Sequence, residues 1–451
     1  MSKNKGNSPP PIVWMFIGLA ALLGFAKLSN GLQFFKSGIS DRMSLGDRIL
    51  IPSESSIEKQ AGVEAFAKKN YTEAVQSFKA SLQKKPNDPE TLIYFNNAKA
   101  GDTNPLKIAV SVPIRSNVNV AQEILRGVAQ AQNTVNANGG IQGKKLQVEI
   151  IDDENSPEIA KKVAESLVKD DKVLAVVGHN ASNASLSAAP IYQKAGLVMI
   201  TPTSFANDLS EFGSAIFRTI PNIRALATPV AEYIVKSDRH SKVVVCYDSQ
   251  SLDNSFKDEF ITSLNAAGGQ LVPVICDFAA QTFNPKTVLE EAASKGAEAV
   301  LLAPHIDLIE QAISVARTNR GKLPLYASST LYTMQTLEEG QNQVEGLILP
   351  VPWHPQAYPN NPFPEAARQQ WGGTVNWRTA TSFDATQAII AALQQDKTRN
   401  GIQQILRSPS FSAVGSGEEV RFLSTGDRAS NPILVRVKAD GKNGHTFAPL
   451  P

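Results

Sequence analysis

From residue 106 onward, short runs of apolar residues alternate with stretches of helical periodicity. Residues 106–112, 146–151, 173–177 and 198–200 read as strands. Between them, residues 120–138, 157–169 and 186–195 read as amphipathic helices, and Gly139-Gly140 stops the first. The strand runs are nearly continuous in apolar residues, as expected where both faces of a sheet are covered. Strands separated by helices imply right-handed crossovers and a parallel sheet. The pattern restarts after residue 222, with helices predicted over 226–236, 254–267, 287–295 and 306–318. The second set of strands is predicted over 242–247, 271–276, 299–303, 325–327 and 344–351. Two such α/β halves imply two lobes and a cleft. The strand-to-helix loops of both halves should face that cleft, because open parallel sheets bind ligands beyond the carboxyl ends of their strands.

The chain ahead of residue 105 follows different patterns. Residues 12–26 are uncharged and largely apolar, with Lys3 and Lys5 before them and Lys27, Lys36 and Arg42 after. That run is short for a membrane span and suits a signal h-region. Residues 1–29 are read as an uncleaved signal anchor, a transmembrane helix, with a cleaved signal as the alternative. No cysteine follows, so a lipoprotein signal is excluded. Either reading places the remainder on the extracytoplasmic, periplasmic side of the plasma membrane. Residues 30–57, with Gly31, Gly38, Gly46 and Pro52, read as a linker. Over residues 58–100, Gly62, Ala65, Phe66, Ala74, Phe78 and Leu82 fall at spacings for two helices packed face to face, with Gly62 and Ala74 allowing close approach. Residues 58–88 resemble a tetratricopeptide repeat. A third helix is expected after Asn87-Asp88-Pro89. One repeat is too short for a solenoid groove. It could be a pad docked on the main domain or a surface for a protein partner.

Composition narrows the function. The 451 residues carry 44 basic and 42 acidic side chains, a net charge of +2, which does not favour nucleic acid. Cys246 and Cys276 are the only cysteines, both in apolar strand-like runs. They read as two buried thiols in neighbouring strands, with a disulfide as the alternative. The five histidines, His179, His240, His305, His354 and His445, show no metal-ligand spacing. No nucleophile elbow, phosphate loop or dinucleotide fingerprint is present. An enzyme is not expected, nor a metal or cofactor. Trp353, His354, Trp371 and Trp377 lie in a Pro-rich stretch and read as packing between lobes rather than as ligand contacts.

Asn138-Gly-Gly-Ile-Gln-Gly143 precedes a strand ending in Asp152-Asp153. Val177-Gly-His-Asn-Ala-Ser182, Ala189-Pro190-Ile191, Ile200-Thr-Pro202, Phe217-Arg218 and Ser382-Phe-Asp-Ala385 then follow in order. This ordered set resembles the leucine/isoleucine/valine-binding proteins and their amide- and urea-binding relatives. The resemblance covers residues 105–451. It implies a type I periplasmic binding protein, a two-lobed α/β Venus-flytrap fold with parallel sheets. Lobe one would hold residues 105–222 and 352–412, and lobe two 223–351 and 413–449. It also implies a hinged receptor that presents a small solute to ABC permease subunits. A membrane-anchored sensor or scaffold, binding a protein partner through lobes and helical segment, is the alternative.

Relatives that bind amino acids hold the carboxylate with lobe-one hydroxyls and backbone N–H groups. Ser182 stands at the matching hydroxyl, at a helix start whose dipole favours an anion, and could equally be an ordinary N-cap. Thr203, Ser204 and Phe205 follow on the next loop, with Phe205 where the family commonly has threonine. In lobe two, Asp248 and His305 follow strands at cleft-facing positions. Thr330 stands where amino-acid binders place an acid; Asp248 or Asp253 could compensate. Arg115 could add an anion contact or point to solvent.

Overall fold

The computed structural model describes residues 38–250, 255–441 and 444–450. The run read as a signal anchor lies outside them. Among the described residues no helix is long and apolar enough to cross a membrane. Ile39–Arg42 is a 3-10 turn. A second unit begins at Met43. Its first element is strand β1 (Met43–Ser44), and Leu50 and Ile51 are buried. From Met43 on, the stretch read as a linker is therefore part of the fold.

Three helices follow: α1 (Ile57–Ala67), α2 (Tyr71–Lys84) and α3 (Pro89–Ala100). Ser56, Asn70 and Asp88 cap them by accepting a backbone N–H. A β-carbon on Gly62 would lie 2.5 Å from the buried Phe78 ring, so α1 and α2 approach through that glycine. Lys59 is fully buried, its Nζ 2.8 Å from Asp88 Oδ2 and 2.7 Å from Glu90 Oε2. Burial alone pushes the Lys59 pKa down, but Glu90 and Asp88 reverse this and the net direction is up. Glu90 also accepts the Leu50 N–H (2.6 Å) and the Tyr94 hydroxyl (3.0 Å), tying α3 to the segment after β1. Leu92, Ile93 and Tyr94 are buried, so the apolar face of α3 is used within the molecule.

Lobe one continues with β2 (Leu106–Val112), α4 (Val118–Ala137), β3 (Leu146–Asp152), α5 (Pro157–Leu167), β4 (Val173–Val177), α6 (Ser182–Ala195), β5 (Val198–Thr201) and β6 (Ile216–Arg218). The sheet order is β1-β3-β2-β4-β5-β6, parallel except for β1. α3 docks on its edge: Asn97 Nδ2 donates to the Val148 carbonyl (2.7 Å) and Asn97 Oδ1 accepts the Val148 N–H (2.9 Å). One side-chain amide thus stands in for a residue of a neighbouring strand.

Lobe two holds α7 (Ile223–Glu232), β7 (Lys242–Tyr247), α8 (Ser255–Ala266), β8 (Gln270–Leu271), β9 (Cys276–Asp277), α9 (Pro285–Ser294), β10 (Ala299–Ala303), α10 (Ile309–Asn319), β11 (Leu325–Ala327), α11 (Met334–Gly340) and β12 (Ile348–Val351). The strand expected over 271–276 is two short pieces on either side of Pro273, which has no N–H for the ladder. Cys246 and Cys276, directly opposite on β7 and β9, are joined in a disulfide, which corrects the reading of two thiols. Both are apolar strand residues in either case, so local pattern does not separate bonded from free.

The chain then returns to lobe one as α12 (Phe363–Trp371), α13 (Trp377–Leu393) and α14 (Arg399–Leu406). α13 packs along α4, and the Thr379 hydroxyl donates to the Glu123 carbonyl (2.8 Å). Residues beyond 413 stay with lobe one. Arg218 N–H donates to the Gly426 carbonyl, and a buried Arg218–Asp427 pair lies at 2.6 Å. The chain enters the second sheet at β13 (Ile433–Asp440), antiparallel to β12, and ends it with β14 (Gly444–Pro449).

Candidate functional site

A cavity lies at the carboxyl ends of β4 and β5 on one side and of β7, β10 and β11 on the other. Asn180, Ala181, Ser182, Thr203, Phe205, Trp377 and Arg378 line it from lobe one. Asp248, Phe256, Lys257, His305, Ser328 and Thr330 line it from lobe two. Its volume is about 90 Å³, against the roughly 10–15 Å³ that one water needs on this measure. That is room for a small solute and not for a protein segment. Six of the residues singled out in the sequence (Ser182, Thr203, Phe205, Asp248, His305 and Thr330) meet here. Ser204 is buried behind the wall, its Oγ 3.4 Å from Ser182 Oγ. Arg115 is not in the cavity; its Nε lies 3.3 Å from Asp152 Oδ2 and its Nη1 3.4 Å from Glu154 Oε1. Local acids hold it, which sequence spacing does not reveal. Asp253 lies outside the described residues.

The lobe-one wall is held from beneath. α6 starts at Ser182, and its N-cap, Ala181, has no capping side chain. Ser182 is therefore not the cap. Its Oγ accepts the Phe205 N–H at 3.2 Å, joining the two wall loops. Gly178, with φ of 131°, passes Ser111 so closely that a β-carbon would lie 2.7 Å from its carbonyl oxygen. His179 is fully buried, with Nδ1 2.6 Å from Asp153 Oδ2 and Nε2 3.1 Å from the Tyr192 hydroxyl. Its carbonyl accepts from Thr201 Oγ1 (2.7 Å) and Ser185 Oγ (3.1 Å). Burial would raise the Asp153 pKa, but the His179 partner outweighs it and the net direction is down. The histidine of the Gly-His-Asn-Ala-Ser run thus positions the loop and does not line the cavity.

On the lobe-two side, Asp248 Oδ1 accepts the Gln250 N–H (2.9 Å), and Ser249 N–H donates to Asp277 Oδ1 (3.0 Å). Asp277 follows Cys276, so the disulfide and this contact hold the loop from the same side. His305 Nδ1 lies 3.2 Å from Asp307 Oδ2. Three buried polar atoms of cavity-lining residues have no hydrogen-bond partner: His305 Nε2, Ser328 Oγ and Trp377 Nε1. Buried polar groups are normally paired, and these three belong to residues that line one cavity.

Trp353, Trp371 and His354 are buried and do not line the cavity, although the Trp371 contact lies within lobe one rather than between lobes. Trp353 Nε1 donates to the Ser416 carbonyl (3.1 Å) and Trp371 Nε1 to Gln130 (3.2 Å). Trp377 departs from the expectation of packing, since it lines the cavity with its ring 5.7 Å from that of Phe205. Trp377 and Arg378 open the same helix that carries Ser382-Phe-Asp-Ala385, and that motif was the available signal for them. Phe256 and Lys257 open α8 and carried no signal. Among the described residues no group of three or more His, Cys, Asp or Glu could hold a metal ion.

A sequence model of the periplasmic binding protein family matches residues 105–442, leaving the three N-terminal helices outside it. The chain is similar to the Leu/Ile/Val-binding protein of Escherichia coli K12, with 25% identity over 329 residues, 72% of this chain and 88% of that one. It is 34% identical over 154 residues to an amino acid binding protein of Pseudomonas aeruginosa, 34% of this chain and 41% of that protein. Among solved structures, an ABC transporter substrate-binding protein from Desulfitobacterium hafniense covers 77% of this chain and all of its own length (100%), with a TM-score of 0.65 and 26% identity. A leucine binding protein from Thermotoga maritima covers 76% of this chain and 97% of its own, with a TM-score of 0.67 and 22% identity.

Proposed function

Since the chain belongs to the periplasmic binding protein family, we propose that it is the extracytoplasmic solute receptor of an ABC importer, closing its lobes on one small polar solute. It is a binding protein and not an enzyme. The observation that carries the proposal is the meeting of loops from both lobes around one small cavity with three unpartnered buried polar atoms. The relatives named for Leu, Ile and Val suggest an amino acid, amide or related compound. In this reading the uncapped start of α6, with Ser182, takes a carboxylate, while Thr203, whose hydroxyl donates to the Asn180 carbonyl (2.9 Å), holds the wall beside it. Asp248 takes an ammonium in place of the acid missing at Thr330, and His305 adds a polar contact. Phe205 and Trp377 form an aromatic wall, and Ser204 supports Ser182 from behind. Closure would present both lobes to permease subunits. The disulfide suits an oxidising compartment outside the cytoplasm.

Thermal-shift and calorimetric titration of the full chain with amino acids, amides, urea and small carboxylates tests the proposal. A solute at 100 times its dissociation constant is expected to stabilise the fold by about 2.7 kcal/mol. Binding of a protein partner with no response to any solute would instead favour a scaffold that keeps the clamp fold.

A further inference from the structure

Resting on the receptor reading, we propose that the cleft selects a solute with an acidic group beyond the carboxylate held at α6, and that Arg378 reads it. Arg378 is the second residue of α13 and lines the cavity. Its guanidinium carbon lies 4.5 Å from the centre of the Trp377 ring. Only Nη1 is engaged: it donates across the lobes to the Tyr332 carbonyl (2.9 Å) and lies 3.5 Å from Glu123 Oε2. That second distance is long for a charge-assisted hydrogen bond. Nε and Nη2 make no hydrogen bond, and neither is shut away as a buried unpartnered atom. The side chain is 3% exposed and forms a buried ion pair with Glu123, and Arg378 borders the cavity.

The other donors point to the same chemistry. Lys257 brings a second cation to the lining, its Nζ 3.1 Å from Asp258 Oδ1, and Asp248 is the one carboxylate among the described lining residues. The indole N–H of Trp377, 1% exposed and unpartnered, is a donor only and needs an acceptor. Ser328, 4% exposed, has a hydroxyl without a partner. The oxygens of an acidic group satisfy such donors. An aliphatic side chain satisfies none and would leave a guanidinium facing it in a dry cleft, at high cost. Because Arg378 also holds Tyr332 of lobe two, an acid bound there strengthens the contact that closes the clamp.

Calorimetric titration of the full chain with glutamate, glutarate, glutamine and leucine tests the proposal. Glutamate or glutarate is expected to bind wild type at least about thirtyfold tighter than glutamine or leucine. R378Q should erase that margin, and R378K should keep part of it. Binding of glutamate alone would assign the ammonium to Asp248, and equal binding of glutarate would assign it no partner; both outcomes support the acidic subsite. Glutamine or leucine binding wild type as tightly as glutamate overturns the subsite and leaves the receptor reading standing. No binding by any amino acid, amide or carboxylate overturns both. The wild-type comparison decides the matter even where R378Q fails to fold.

Discussion

Ser182 joins two wall loops and lines the cavity, so in the proposed receptor its hydroxyl would serve both packing and binding. Ser182→Ala leaves the Phe205 N–H without its partner and removes one solute contact. A loss of affinity of about 1–2 kcal/mol, roughly five- to thirtyfold, is expected; unchanged affinity by calorimetry would remove Ser182 from the site. His354 supplies a pH-dependent effect away from the cavity. It is 3% exposed, its Nε2 lies 3.2 Å from the Phe447 carbonyl, and its Nδ1 accepts the Gln356 N–H (3.3 Å). A second ring proton would point at that N–H. Burial lowers its pKa from 6.5 to about 4. The unfolded chain then takes up the proton first as pH falls. The contribution of neutral His354 is complete above about pH 6.5 and is lost on going down towards pH 4, by about 3 kcal/mol. Denaturant titrations across that range should show a shallower pH dependence for His354→Gln; identical slopes would exclude this role. At this scale the sequence displayed residues that follow strands, such as Asp248 and Thr203. For Arg378 it offered only the neighbouring Ser382-Phe-Asp-Ala385 motif and for Lys257 nothing, because their place depends on how helices from distant parts of the chain swing over the cleft.

Elements with a strong period and a clear stop were legible, and those cut or held by single residues were less so. The break at Pro273 and the start of α6 at Ser182, ahead of its apolar stretch, are of the second kind. So is the segment after Met43, whose glycines suggest a linker while Leu50 and Ile51 are held by Glu90 of a later helix. The disulfide belongs here too, because it joins β7 to β9 next to the Asp248 loop. With the cysteines 30 positions apart in the chain, replacing both with serine is expected to cost about 3–4 kcal/mol on loop-closure grounds. Denaturation midpoints with and without reductant should show it. A wild-type protein indifferent to reductant would contradict the pairing.

For the whole molecule, alternating strands and helices dictated two lobes, and the paired loop sets dictated where the cleft lies. Both followed from the parallel topology rather than from any one residue. The pattern left open whether the helical segment is a pad docked on the main domain or a surface for a partner; the structure joins it to lobe one. Apolar positions on α3 look alike whether they face a partner or the neighbouring sheet. The difference rests on Asn97, Gln132 and Gln147, polar residues that are buried and bonded across that contact.

The pairing of Asn97 with Val148, beside β1 on Ile150 and Ile151, leaves β3 no bare edge. An uncovered edge of a parallel sheet is a template for strands of other chains. The segment from Met43 to Gly101 is therefore expected to keep lobe one from sticking to its own kind. A fragment beginning at Asn104 should retain the cleft yet self-associate as its concentration rises, whereas one beginning at Met43 should stay monodisperse in light scattering. Equal behaviour of the two would show that the edge needs no cover.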